Sequence, residues 1–195
     1  MLVAMMFDKD TIARLIEEAY REERAREDEA LTQAAVLVPL VERRNGLSVV
    51  LTRRTDNLRS HAGEISFPGG RIEASDPTVV DAALREAQEE VGLPPERVEV
   101  LGRLNCYLTR TGYRVHPIVG MLQSPVTLRP QPEEVAEIFE VPLAFFLDPS
   151  NHQPLDFELD GRTYRFYAMP YGDYYIWGAT AGMLRNLYLV LRGER

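Results

Sequence analysis

Apolar residues recur with helical spacing at Ile12, Leu15, Ile16, Ala19 and Tyr20, so the chain is predicted to open with an amphipathic helix. Asp10 would cap it, and a Glu/Arg-rich tail would carry it to Glu29. Residues Ala34–Val41 and Leu47–Thr52 then read as strands joined by the polar turn Glu42–Gly46, followed by a loop over Arg53–Glu64. The short apolar piece Ile65–Phe67 ends in Pro68-Gly69-Gly70. A helix pattern resumes from Thr78 to Val91, where Gly92 and Pro94 stop it. Val98–Leu108 and Tyr113–Leu122 suggest two strands around Thr111 and Gly112; Glu134–Val141 suggests another, ahead of a short helical Leu143–Leu147. Asp160-Gly161 is a hairpin signal between Asp156–Leu159 and Arg162–Tyr167, and Leu184, Leu187, Tyr188 and Leu191 outline a closing helix. With no repeat, low-complexity tract or linker, this order predicts a single-domain α/β sandwich.

The 195 residues are 45% hydrophobic and 27% charged, which excludes collagen-like, disordered and coiled-coil classes. A net charge of -8, from 30 acids against 22 bases, argues against nucleic acid or an anionic membrane as a partner. An acidic protein that handles anions needs a local arginine patch or a bound cation. Cys106 is the only cysteine, so no intramolecular disulfide forms and a reducing, cytoplasmic setting is expected. Met1–Phe7 is apolar but lacks a basic flank and a small-residue exit, and Ala34–Val41 falls short of the roughly 20 residues a membrane span requires, so a soluble protein is expected.

The segment Ala82-Ala83-Leu84-Arg85-Glu86-Ala87-Gln88-Glu89-Glu90-Val91 carries the chemistry. On a helix Glu86, Glu89 and Glu90 fall within an arc of roughly 100°, while Val80, Leu84, Ala87 and Val91 group about 120° away. One side can therefore enter a core while the acids line a cleft. Arg85 precedes Glu89 by one turn, but an exposed pair of this kind contributes only about 0.3–0.5 kcal/mol, too little to offset the mutual repulsion of the acids. Divalent Mg²⁺ or Mn²⁺, which prefer oxygen ligands, would offset it and then hold phosphate oxygens. Gly69 and Gly70 suit a tight approach of backbone to that helix.

Taken together, Gly70 through Leu93 resembles the box of the Nudix hydrolases, ending in Arg85-Glu86-Ala87-Gln88-Glu89-Glu90-Val91-Gly92-Leu93. Asp76 stands where the general box has Glu, and Arg85 lies one residue late. The same insertion marks a subgroup resembling coenzyme A pyrophosphatases, whose upstream signature is similar to Leu51 through Gly70. Similarity continues through Thr111–Pro117, Glu134–Phe139 and Ile176–Ala181. The resemblance implies an α/β/α sandwich with a mixed sheet over residues 34–195, with residues 1–33 as a helical extension packed on it. It implies Mg²⁺- or Mn²⁺-dependent hydrolysis of coenzyme A or its derivatives to adenosine 3′,5′-bisphosphate and 4′-phosphopantetheine. Glu86, Glu89, Glu90 and Gly70 match the metal-holding positions. Glu86 and Glu89 carry over as catalytic, and Glu86, Glu134 or Glu137 would serve as general base.

Arg53, Arg54, Arg59 and His61 precede the box, and of these Arg54, Arg59 and His61 are the expected substrate contacts, since guanidinium forks fit the 3′-phosphate. The alternatives are a Nudix hydrolase of ADP-ribose or a dinucleotide, and a nucleotide-sensing module without turnover. The expected partner is a small molecule, and a homo-oligomer is compatible with this reading. Tyr171, Tyr174, Tyr175 and Trp177 are expected in a core or interface, His116 and His152 in structural roles, and Cys106 as a buried hydrophobe within a strand. No Walker A, G-x-S-x-G or H-E-x-x-H sequence occurs.

Overall fold

A computed structural model describes residues 7–20, 31–56, 61–159 and 161–193. The first helix, α1 (Lys9–Ala19), is capped by Asp8, whose carboxylate accepts from Thr11 N–H at 2.8 Å; Asp10 sits inside the first turn instead. The expected extension of this helix to Glu29 falls outside the described residues from position 21 on.

The sheet is organised by β1 (Thr32–Arg43), in which alternate residues face opposite sides and both sides are buried. Its first part pairs antiparallel with β4 (Gly69–Arg71) and its last part with β2 (Gly46–Arg54), while its other edge runs parallel to β7 (Tyr113–Leu122). Outside these, β3 (Ile65–Ser66) and β8 (Val135–Pro142) pair with β2, and β5 (Val98–Arg103) and β6 (Tyr107–Leu108) pair with β7, completing a mixed eight-stranded sheet. The run Val98–Leu108 is thus two strands, with Cys106 in the connection between them, half-buried and outside any strand.

Helix α2 (Val79–Val91) covers one face of this sheet: Ala82, Ala83, Ala87 and Val91 pack on Ala35, Leu37, Val41 and Ile118. Alanines, rather than Val80 and Leu84, make the closest approach, because a small side chain brings the helix nearest to the sheet. The opposite face packs on α1, the short helix α3 (Leu143–Phe146) and α4 (Gly178–Leu191), through Ile12, Ile16, Phe146, Leu184 and Leu187. A second, three-stranded sheet of β9 (Gln153–Leu159), β10 (Arg162–Tyr171) and β11 (Tyr174–Trp177) packs on this side through Met169 and Ile176. The last of these strands is not legible as a strand in the sequence. Tyr171 and Tyr174 pack on the core as expected, but Tyr175 and Trp177 stay 51% and 41% exposed on the sheet's outer side. Among the described residues no helix is long and apolar enough to cross a membrane.

Candidate active site

Helix α2 begins at Thr78, whose hydroxyl oxygen accepts from the N–H groups of Val80 and Asp81. It ends at Gly92, in the left-handed conformation at φ 63°, with the N–H of Gly92 reaching Gln88 and that of Leu93 reaching Ala87. Between these caps the acids lie at graded depth. Glu89 is 59% exposed, Glu86 is largely covered, and Glu90 is buried, with 3% of its surface accessible.

Glu90 sits where α2 meets the glycine turn. Its Oε2 accepts from Gly69 N–H at 3.3 Å, and its Oε1 lies 3.5 Å from Arg54 Nη1. Burial pushes its pKa up to about 7, Arg54 and the Gly69 N–H oppose this, and the charges of Glu86 and Glu134 add to it. Burial also raises the pKa of Glu86, against the pull of Arg85, and Glu89 and Glu134 reinforce the rise. Glu134, exposed just before β8, thus lies near enough for its charge to act on both box acids. Its loop is stapled in place by Thr55, whose N–H and hydroxyl donate to the carbonyls of Glu134 and Glu133, and by Gln131 N–H donating to Glu90 O.

The strand period separates the two adjacent arginines of β2. Arg54 points to the α2 side and Glu90; Arg53 points to the other, where its Nε lies 3.3 Å from Glu137 Oε2. Glu137 also accepts from Tyr174 Oη at 2.7 Å, and Tyr174 stacks on Phe139 with ring centroids 3.7 Å apart. The site thus brings together Glu86, Glu89, Glu90, Gly70, Glu134 and Arg54, whereas Glu137 is held apart by Arg53 and Tyr174. His61, at φ 58°, pairs through Nδ1 with Glu64 Oε2 at 2.7 Å rather than with an acid of α2. Arg59 lies outside the described residues.

Arg85 holds more than the one-turn pair expected of it. Its Nε and Nη2 grip both oxygens of Asp76 at 2.9 and 3.0 Å, Nη1 reaches Glu86 Oε1 and Glu89 Oε2 at 3.1 Å each, and Nη2 also donates to Arg71 O. Asp76 therefore has a definite place, as the anchor of the loop before α2. Arg85, and then the Glu73 N–H, hold its carboxyl below the usual range. This fork was missed from sequence, since the Asp76 to Arg85 spacing crosses a turn and a cap and follows no helix period.

The family model of the NUDIX domain matches residues 31–161, spanning the acidic helix and the strands that carry it. The chain belongs to the Nudix family. It is similar to the uncharacterized Nudix hydrolase NudL of Escherichia coli O1:K1 / APEC, 45% identical over 157 residues, 80% of this chain and 81% of that one. The same figures hold for the protein of that name from Shigella boydii serotype 18. A MutT/nudix family protein from Enterococcus faecalis shares the fold at a TM-score of 0.55 and 16% identity, over 95% of this chain and 78% of that one. The Nudix hydrolase RenU of M. smegmatis shares it at a TM-score of 0.50 and 24% identity, over 58% and 71%. A Nudix hydrolase built on a mixed sheet flanked by helices is what the residues describe.

Nudix hydrolases use divalent ions such as Mg²⁺ or Mn²⁺. Among the described residues no group of acids, histidines and cysteines already converges as a metal cage, because Arg85 lies between Glu86 and Glu89 and Glu90 turns to Gly69 and Arg54. The donor set still fits a hard cation. Among the described residues, three carboxylates on one helix are balanced by the guanidinium groups of Arg85 and Arg54 and one backbone N–H, and Glu86 presses on bare backbone at Gly70, where a Cβ would come within 2.5 Å of Oε1. Gly70→Ala is expected to push the Glu86 carboxylate aside with little loss of stability, because that carboxylate ends a flexible side chain, and to weaken Mg²⁺ binding about tenfold or more. Gly69→Ala differs, since its Cβ would meet Ala35 O at 2.5 Å and must move the strand itself. Titration calorimetry with Mg²⁺ beside thermal melting separates the two, and unchanged affinity in Gly70→Ala would remove the Gly70 contact from the site.

Proposed function

We propose that this Nudix hydrolase cleaves the diphosphate of coenzyme A or its derivatives, yielding adenosine 3′,5′-bisphosphate and 4′-phosphopantetheine. The observation that carries the reading is the graded acidic face of α2 against Gly69-Gly70, joined without a gap to the segment Leu51–Gly70 that resembles the coenzyme A pyrophosphatases. Glu86, Glu89, Glu90 and the backbone at Gly70 would hold Mg²⁺ or Mn²⁺, and the ion would supply a lowered pKa for water and stabilisation of charge on the transferring oxygens. Glu134, whose charge is felt by both Glu86 and Glu90 and whose loop is hydrogen-bonded to Thr55, is the general base in this reading and takes the proton of the attacking water. Glu137, engaged by Arg53 and Tyr174, shapes the wall beside it. Water adds to phosphorus, the bridging P–O bond breaks, and its electron pair leaves with the bridging oxygen.

Arg54 carries a buried Nε without an acceptor, an orphan donor suited to a phosphate oxygen. Arg59 and His61 follow it in the sequence, and we assign them to the 3′-phosphate. Residues 34–195 form the hydrolytic unit and residues 1–33 an accessory segment, whose helix α1 docks where Ile12 and Ile16 enter the core and Lys9 Nζ meets Glu99 at 2.7 Å. The substrate is a small molecule met in the cytoplasm.

The test is incubation of metal-stripped protein with coenzyme A, dephospho-coenzyme A, ADP-ribose and NADH, with and without Mg²⁺ or Mn²⁺, with products identified by mass spectrometry. Metal-dependent release of adenosine 3′,5′-bisphosphate, preferred over the other reactions, is the expected result. Turnover of ADP-ribose or NADH alone would keep the metal chemistry and overturn the substrate. No turnover of any would favour a nucleotide-sensing module.

A further inference from the structure

Away from the acids, three polar side chains from separate segments meet on the α2 side of the sheet. Cys106 Sγ lies 3.3 Å from His116 Nδ1, and His116 Nε2 lies 3.0 Å from Gln33 Oε1. Cys106 comes from the connection between β5 and β6, His116 from β7 and Gln33 from β1. An amide oxygen only accepts, so Gln33 places the imidazole proton on Nε2 and leaves Nδ1 bare toward the thiol. Burial, with the positive charges of Arg103 on β5 and Arg114 on β7, lowers the pKa of His116 and keeps the ring neutral, so that Nδ1 holds a lone pair toward the thiol, while the same charges favour a thiolate beside it. A nucleophile, a base within reach and a third group orienting that base is the arrangement of covalent catalysis. The trio is also near the acids: Ala35 is in register with His116 on one side and Gly70 on the other, which places His116 about 10 Å from Gly70 across the strands.

The geometry points to Cys106 as a modification site for low-molecular-weight disulfides, with His116 as its base and Gln33 as the positioning residue. His116 Nδ1 takes the thiol proton as Sγ attacks one sulfur of the disulfide. The S–S bond breaks, a mixed disulfide forms on Cys106, and the departing thiolate regains the proton from the imidazolium as a free thiol. The cysteine sulfur is oxidised and the departing sulfur reduced, so no further oxidant is required. This inference stands independently of the coenzyme A reading.

Oxidised glutathione is the probe, added to the full chain at pH 7, with intact mass followed over time and the modified peptide sequenced. The expected result is a single half-disulfide adduct on Cys106, formed at least tenfold faster than on N-acetylcysteine. The rate should rise with pH well below the value of about 8.5 usual for a free thiol. Cys106→Ser takes no adduct. His116→Gln and Gln33→Leu slow the reaction at least fivefold and return its pH profile to that of an ordinary thiol. Gln33 is exposed, so its replacement leaves the fold intact even if His116→Gln does not fold. No adduct, or a rate equal to that of N-acetylcysteine and indifferent to Gln33→Leu, overturns the assignment.

Discussion

Glu90→Gln is expected to reduce turnover about a hundredfold or more and, in metal-free protein at pH 8, to raise the melting temperature. The two effects share one cause. A carboxylate with its folded pKa near 7, against an ordinary 4.5, is uncharged where the unfolded chain would ionise it. The stability this contributes is present below pH 4.5 and is lost as pH rises through 7, a swing of about 3 kcal/mol. The glutamine variant lacks that slope. His116 and His152 have pKa values lowered by burial and slope the other way, but they are common to both proteins, so the difference between wild type and variant reports Glu90 together with its coupling to Glu86. Mg²⁺ at pH 8 should restore wild-type stability by balancing the ionised carboxylate, and should do much less for the variant. Melting curves of both proteins at pH 5 and pH 8, with chelator and then with Mg²⁺, provide the check. A pH-independent difference would mean that Glu90 ionises without strain, and surviving turnover would remove it from the ligand set.

Arg85→Ala is expected to cost about 3 kcal/mol of folding free energy, because it strands the carboxylate of Asp76, only 4% exposed, without its fork. The loss exceeds that for an exposed pair such as Arg14 with Glu18, worth about 0.5 kcal/mol or less. Arg85→Lys restores a charge but not the planar grip on both oxygens, so it should recover only part of the stability. Urea midpoints for the three proteins decide this, and a double change with Asp76→Asn should be less damaging than Arg85→Ala alone. Equal losses in the single and double variants would show that Asp76 is not the partner that matters.

The strands most readily legible in sequence were those buried on both faces, Ala34–Val41 and the second half of Tyr113–Leu122, where mostly apolar runs leave little room for another reading. Both ends of α2 were legible as well, because Thr78 and Gly92 are chemically marked positions. Depth was not. The helix wheel puts Glu86, Glu89 and Glu90 on one side, but which of them is buried depends on where the sheet lies, and that is set by Ala82 and Ala83 drawing the helix in. Asp8 capped α1 in place of Asp10 because both acids precede the same apolar stripe, and only the start of the backbone turn chooses between them. The strand Tyr174–Trp177 escaped notice because its outer residues are aromatic and exposed, which masks the alternation. The trio of Cys106, His116 and Gln33 has no local signal at all; it exists only through the parallel register of β1 and β7.

That same register sets an order on assembly. Thr32 through Val41 pair with Tyr113 through Leu122, so this contact must wait until the intervening hairpins and α2 have been synthesised. Pairing across so long a stretch of chain is slow, because loop-closure entropy is lost before contacts repay it. On the ribosome, the first strand emerges with one edge satisfied by nearby partners and the other open until its distant mate arrives. The growing chain therefore carries an unprotected apolar edge while the intervening residues 42–122 are made, a window in which a chaperone would be of use.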